Sequence, residues 1–421
     1  MIFLFQLFIK FLKLDISFFI EEYINENLVL ISSHESNLPK KGYLVRLASF
    51  LSKMLFHSNF FDTTSRFKDS NYILACNSEN EFLSSNFLFS EERKPLLLGE
   101  FPKKHSFMSF FIGLFLVPII FYKVLSSENL NMRKSLPFTL DQLMIASGLF
   151  FTYSYILKDK NFKSLIISNH MHPASRVILL LAKTNNIKTV YLEHTQLIEN
   201  WPSIDCDFFL LSGKRSLEKL KKINENFECE YFLVGSPKLD FFEVKREIKR
   251  LREISICLSP GFNIKILSNL VYDLKSHYSR SKISIRPHPA IRKSYLKSLE
   301  ELGRSGISII HPKTESIESF FSRNDLIISA DSGIFFEAGY LGIYSLKYKM
   351  SESQRDVYNA VDSGINIFEN TQSLISEINK LLKDSKAQRN SFGYFYDTLN
   401  SKFEGKSGKL ALNFLRKKNL V

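Results

Sequence analysis

From about residue 160 the apolar positions settle into a regular rhythm, with short runs rich in β-branched residues alternating with stretches of helical periodicity. That alternation predicts βα units wound around a parallel sheet. Strands are expected at Ser164 to Ser168, Lys188 to Leu192, Phe208 to Leu211 and Tyr231 to Val234, completing a sheet begun at Asn27 to Ser32 and Tyr72 to Ala75. After Gly235-Ser236-Pro237 the charged segment Glu243 to Glu253 lacks a strand pattern. A second series then starts: Ile254 to Leu258, Ile283 to Arg286, Ile307 to Ile310, Leu326 to Ser329 and Ile343 to Leu346. Helices at Thr371 to Lys383, Ser385 to Leu399 and Ser407 to Lys417 are expected to close this second part, with a return to the first left open. A chain of 421 residues exceeds what one hydrophobic core ordinarily serves. The expected architecture is α/β: two Rossmann-like parallel-sheet domains, residues 1–240 and 241–421, facing across a cleft.

The first part is harder to read. Ser106 to Tyr122 runs without a charge between Lys103-Lys104 and Lys123, at the lower limit for crossing roughly 30 Å of hydrocarbon. Gly113 and Pro118 interrupt it, and a second uncharged stretch follows from Gln142 to Leu157. The expectation is buried or interfacial helices rather than a span. The opening stretch, MIFLFQLFIKFLKLDISFFI, is apolar but broken by Lys10 and Lys13, and no small-residue cleavage site follows. It reads as an amphipathic helix for the inner leaflet of the plasma membrane, where lysines meet anionic lipid. A cytoplasmic, peripheral location follows from this reading.

Composition narrows the function classes without choosing one. Four cysteines are scattered without a CxxC pair, against a zinc site and against a disulfide framework. The 56 Lys and Arg against 43 Asp and Glu leave a formal charge of +13, a field that favours phosphates, acidic polysaccharide, nucleic acid or an anionic membrane. Nucleic acid is set aside for want of a reading motif or an aromatic-basic stripe.

Ligands of open parallel sheets bind outside the carboxyl ends of the strands, so the residues just after each strand are the candidates. After Ile283 to Arg286 comes Arg286-Pro287-His288-Pro289, with an imidazole held between two residues of fixed φ and cations close by. Arg286 and His288 suit the developing charge of a leaving nucleotide phosphate, without a metal or other cofactor. After Leu326 to Ser329 comes Ser329-Ala330-Asp331-Ser332-Gly333, opening a helix that carries Glu337. Its backbone N–H groups and hydroxyls fit a phosphate and Glu337 fits ribose, although an ordinary N-cap explains Asp331 or Ser332 as well. Ser259, in Ser259-Pro260-Gly261, follows the first strand of the same series. In the first domain His170 and His172 end one strand as acceptor-side candidates, with no third ligand at metal spacing.

The order Gly235-Ser236-Pro237 to Asp240, then Arg-Pro-His-Pro, then Ser-x-Asp-Ser-Gly-x-x-x-Glu resembles GT-B transferases of bacterial surface polysaccharides over roughly residues 160 to 365. Among these are capsule sialyl- and polysialyltransferases, Kdo transferases and teichoic-acid polymerases that use CDP-polyols. The resemblance implies an inverting glycosyltransferase or polyol-phosphate transferase. Its nucleotide-sugar donor would be CMP- or CDP-linked and its acceptor a polysaccharide or glycolipid. It places His288, Ser329 and Ser332 on the nucleotide phosphates. Val190-Tyr191-Leu192-Glu193-His194-Thr195 is similar to a stretch where these proteins carry Gln-His-Gly, which makes His194 the candidate base and Glu193 or Asp207 its helper. Thr195 departs from that pattern, and the acidic pair followed by Gly of the sialyltransferases is missing. Ser329 to Ile334 with Glu337 also resembles nucleotide-sugar 2-epimerases of the same fold, although Ile31 to Ser36 lacks their Gly-Thr-Arg-Pro-Glu-like loop. A non-catalytic, membrane-associated assembly protein is the third reading.

Overall fold

The computed structural model describes residues 2–20, 42–56, 58–59, 70–92, 94–101, 105–158, 161–198, 201–224, 228–242, 248, 250–259, 262–288, 291, 293–304, 306–330, 332–352, 354, 356, 358, 360–361, 364–384 and 405–421. Two compact units emerge: residues 1–211, 217–238 and 406–421 in the first, and residues 212–216 and 239–405 in the second. The expected strand Asn27 to Ser32 and helix Ser385 to Leu399 lie outside the described residues.

The first unit holds six parallel strands: β1 (Tyr72–Ala75), β2 (Leu96–Leu98), β3 (Ser164–Ile167), β4 (Lys188–Leu192), β5 (Phe208–Leu211) and β6 (Glu230–Leu233). Their order across the sheet is β2-β1-β3-β4-β5-β6. Strands in a sheet covered on both faces carry apolar side chains on both, which explains the unbroken burial of Tyr72–Ala75 and Ser164–Ile167. Alternate residues feed two cores. Ile73, Leu165, Ile167 and Tyr191 pack under the helices Leu130–Leu157 and Pro173–Thr184. Leu74, Ile166, Val190 and Leu192 pack on the other face with Ala411, Leu412 and Leu415 of the helix Ser407–Lys417. That last helix, for which the sequence leaves a return to the first domain open, belongs to the first unit. It is tied there by Ser164 Oγ, which donates to the Leu420 carbonyl at 2.6 Å.

The uncharged stretch after Lys103 forms two helices, Phe107–Phe115 and Val117–Leu125, bent by 55° at Leu116. Pro118 sits in the first turn of the second, where its missing N–H leaves no hydrogen bond unmade. The first of these helices crosses Leu130–Leu157 at two glycines. A Cβ on Gly148 would lie 1.7 Å from the Ser109 carbonyl oxygen, and one on Gly113 would lie 2.3 Å from that of Met144. Only hydrogen at both positions lets the backbones approach this closely. Helix Leu130–Leu157 is buried on nearly every side, so its lack of a polar face reflects a core position.

The second unit holds β7 (Glu253–Cys257), β8 (Lys282–Arg286), β9 (Ser308–Ile309), β10 (Leu326–Ser329), β11 (Tyr344–Tyr348) and β12 (Ile367–Phe368), all parallel. Their order is β12-β11-β10-β7-β8-β9, winding outward in both directions from the neighbours β7 and β10. This is the doubly wound order, and its reversal falls between β7 and β10. In the first unit the described strands reverse between β1 and β3. The strands β2 and β12, at three and two residues, are too short to show a period.

Replacing Gly148 with Ala should destabilise the chain by about 3 kcal/mol in urea denaturation, because the clash is with backbone that cannot rotate away. Gly303→Ala should instead be neutral or stabilise by about 0.5–1 kcal/mol, since its Cβ would meet only the Ile309 side chain at 3.5 Å and alanine favours the helix.

Candidate functional site

The two strand-order reversals, one in each unit, bring the candidate chemistry to separate edges. In the second unit the reversal lies between the loop at Leu258-Ser259 and the turn Ala330, Ser332 and Gly333. Leu258 N donates to the Arg286 carbonyl at 3.0 Å, which holds the β7 loop beside the β8 loop that carries His288. His288 is half-buried, and burial lowers its pKa, so it meets a ligand as a neutral imidazole. On the other side, Ser332 and Gly333 accept from Phe335 N and Phe336 N as the chain enters the helix Ile334–Tyr340. Phe335 and Phe336 anchor this helix in the core, while Ser332, Gly333 and Glu337 stay half-buried at its edge.

Two residues expected on the phosphates are engaged elsewhere. Arg286 is buried: it donates from Nη1 to Glu315 Oε2 at 3.1 Å and from Nη2 to the Glu315 carbonyl at 3.3 Å, and it covers the Phe320 ring at 4.5 Å. Glu315 is shared with Arg323, which also pairs with Glu253. A buried guanidinium without this partner would carry a desolvation penalty of several kcal/mol, so the pair holds Arg286 inward. Ser329 is fully buried and its hydroxyl donates to the Ala330 carbonyl at 3.2 Å. Pro289 lies outside the described residues. Below the Ser332 turn is a residue that the sequence reading missed. Lys347, paired in register with Ser329, is fully buried and holds Asp356 at 3.1 Å near the Phe335 ring. A single Lys inside the run Tyr344–Tyr348 was its only signal.

In the first unit His194 follows β4 and is half-buried. Its Nδ1 lies 2.6 Å from the Ser168 carbonyl, which can only accept, so the proton is on Nδ1 and Nε2 keeps its lone pair. Burial, with the Lys238 charge, lowers its pKa to about 4. Glu193 is buried at 2% exposure. His170 is also a core residue, packed between Tyr191 and Trp201 with Nε2 3.2 Å from the Pro202 carbonyl. Burial and the Arg176 charge lower its pKa to about 3.

His172 remains at the edge, within a cluster that spans the reversal between β1 and β3. Its Nδ1 accepts from Ala174 N at 3.3 Å, capping the helix Pro173–Thr184, so its proton sits on Nε2, 3.7 Å from Glu100 Oε1. His105 Nε2 lies 3.3 Å from the same oxygen. Burial raises the Glu100 pKa, but His105, His172 and Lys53 outweigh it and bring it down to about 2. Burial lowers that of His172 to about 4. Behind them Glu81 is buried and accepts from Asn77 N at 2.9 Å, Ser78 Oγ at 3.0 Å and Asn169 Nδ2 at 3.4 Å, tying the β1 and β3 loops together. Gly99, with φ +103°, lets the β2 loop turn against the Cys76 carbonyl, which a Cβ would meet at 2.1 Å, and so delivers Glu100 to the cluster. Ser78-x-x-Glu81 was legible as a capping box; nothing in the sequence linked Glu100 or His105 to His172. Among the described residues, no group of three or more His, Cys, Asp or Glu could hold a metal ion.

No family model and no curated protein matches the sequence. Solved structures do match. MnaA of S. aureus, in a co-structure with UDP, aligns with a TM-score of 0.54 at 13% identity, covering 83% of this chain and 97% of that one. The UDP-GlcNAc 2-epimerase of Neisseria meningitidis, bound to UDP-GlcNAc, aligns with a TM-score of 0.52 at 15% identity, covering 82% and 99%. A lower likeness, TM-score 0.47 at 12% identity, is to the wall teichoic acid polymerase TagF, covering 89% and 97%. The chain has the GT-B fold, with two Rossmann-like domains.

The depressed imidazoles fix a pH dependence. Below about pH 6.5 the unfolded chain takes up protons that folded His194, His172 and His170 refuse until about pH 4 or 3, so stability falls as pH drops through that window. Glu100 adds a loss of the same sign between about pH 4.5 and 2. The melting temperature should therefore decline from pH 6.5 to 4, and His170→Phe should make the decline shallower. An unchanged slope would show that His170 is not held neutral.

Proposed function

We propose that the chain is a nucleotide-sugar enzyme that holds the nucleotide phosphates at the strand reversal of its second unit, and that His194 is its base. The observation that carries the catalytic half is His194, whose Nδ1 bond to the Ser168 carbonyl leaves Nε2 as a proton acceptor at the sheet edge. In the transfer reading Nε2 takes the proton of an acceptor hydroxyl as its oxygen attacks the donor sugar carbon, or the phosphorus of a polyol phosphate. The bond to the leaving nucleotide then breaks, and the departing phosphate oxygen keeps the electron pair. Its charge meets the N–H groups and hydroxyls around Ser332-Gly333, Ser259 and the neutral His288 rather than Arg286. The acceptor of this reading is a surface polysaccharide or glycolipid, as the motif order in the sequence suggests.

A second reading is a nucleotide-sugar 2-epimerase. The Glu100 cluster favours it, because inversion of a stereocentre needs a proton acceptor and a proton donor, and His172 presents its N–H beside a carboxylate. The solved structures of the same fold with UDP and UDP-GlcNAc support a uridine nucleotide in either reading.

A thermal-shift panel of CMP, CDP, UDP and GDP should show one nucleotide raising stability by about 2.7 kcal/mol at a hundredfold excess over its dissociation constant. With that donor, consumption only when an acceptor glycan is added supports transfer, and conversion of donor alone supports epimerisation. His194→Ala should lower kcat about 100-fold or more while nucleotide stabilisation persists. Full activity of this variant would remove His194 from the mechanism.

A further inference from the structure

Four helices of the first unit surround the buried helix Leu130–Leu157: Ile2–Lys13, Tyr43–Phe56, Phe107–Phe115 and Val117–Leu125. They are joined sideways. Lys123 donates to the carbonyls of Leu12 and Leu14, each at 2.7 Å. The Tyr43 ring meets that of Phe121 at 5.8 Å, and Phe50 meets Phe110 at 5.4 Å. Their inner sides are satisfied by these contacts. The outer sides are also apolar, with Phe5 and Ile9, Phe111 and Phe115, and Tyr122 and Leu125 all exposed, Phe115 to 69% and Tyr122 to 73%. Scattered exposed apolar residues are ordinary, but large side chains gathered on adjoining helices mark a surface that is covered in use.

Charge selects what covers it. Lys10 and Lys13 are exposed on the same helix as Phe5 and Ile9, and Arg133 and Lys134 are exposed at the start of the central helix, against Asp15 and Glu128. Between the two groups lies a groove of about 500 Å³. Exposed Leu12 and Tyr122 line it with Lys13, Ser126 and the carboxylates of Asp15 and Glu128, so apolar, basic and acidic groups meet at one mouth. Among the described residues no single helix is long and apolar enough to cross a membrane, and the one pair that might by length and composition is bent by 55°. Gly113 and Gly148 pack the first helix of that pair closely against the central helix, with Phe111 and Phe115 exposed on its other side.

We propose that this four-helix face docks on an anionic phospholipid bilayer. Phe5, Phe111, Phe115 and Tyr122 enter the boundary between headgroups and acyl chains, and the basic side chains Lys10, Lys13, Arg133 and Lys134 meet lipid phosphate. Apolar burial and surface potential act together in such an arrangement. The proposal rests on the first unit alone and does not depend on which nucleotide is bound.

The experiment is flotation of the full chain with vesicles of phosphatidylcholine and with vesicles of equimolar phosphatidylcholine and phosphatidylglycerol. The full chain should float with the anionic vesicles, release as salt is raised, and bind the neutral vesicles at least about tenfold more weakly. Phe111→Ser with Phe115→Ser, and separately Lys10→Glu with Lys13→Glu, should each lower anionic binding about tenfold or more with the melting temperature kept. The lysine pair is wholly at the surface, so its result stands even where the phenylalanine pair perturbs folding. No flotation above that of an unrelated soluble protein would overturn the proposal. So would a dimer in sizing chromatography that the phenylalanine variant dissociates while vesicle binding is unchanged, because the face would then belong to a second copy.

Discussion

Everything functional in this chain depends on one constraint of parallel sheets: consecutive parallel strands must be joined by crossovers that pack on one face or the other. Where the winding changes direction, the two neighbouring crossovers leave on opposite faces, and their loops part at the carboxyl edge. In the second unit this happens between β7 and β10, placing Ser259 and the Ser332-Gly333 turn on either side of a gap. In the first unit it happens between β1 and β3, where Asn77, Glu81, Asn169 and His172 gather. The fold creates these two edges before any particular chemistry is placed on them.

Burial then divides the polar residues near those edges into those enclosed by the fold and those left partly open. Arg286 and Lys347 are buried cations, and each is paired with a carboxylate, Glu315 and Asp356. In the first unit Glu81 and Asn169 tie loops together through hydrogen bonds. His194 and His172 stand at the boundary, partly open, and their backbone partners set opposite tautomers: one ring keeps a lone pair at Nε2 while the other keeps a proton there. Neither tautomer depends on a bound ligand. Both follow from which backbone group each ring faces, a carbonyl for His194 and an amide for His172.

Much of this was legible because period and burial follow local sequence. The strands Tyr72–Ala75, Lys188–Leu192, Phe208–Leu211 and Leu326–Ser329 agree residue for residue with their apolar runs, as do the helices Thr371–Lys383 and Ser407–Lys417. What was not legible involves partners distant in the chain. Arg286 was read as phosphate-facing since its neighbours are a proline and a histidine, whereas its position is decided by Glu315. His170 and His172 look equivalent in the chain, yet one turns into a ring of aromatics and the other caps a helix beside Glu100. Glu100 follows a three-residue strand with no visible period. The helix Ser407–Lys417 has an apolar face without any indication of which sheet it covers.

The proposed function puts the nucleotide phosphates at the β7–β10 reversal of the second unit. Hydrogen exchange of the full chain, with and without the nucleotide that stabilises it, tests this directly. Amides at Leu258-Ser259 and from Ser332 to Phe336 should slow on binding, and amides around the Arg286–Glu315 pair should change little. Protection confined to other segments, with these loops unaltered at saturating nucleotide, would contradict it.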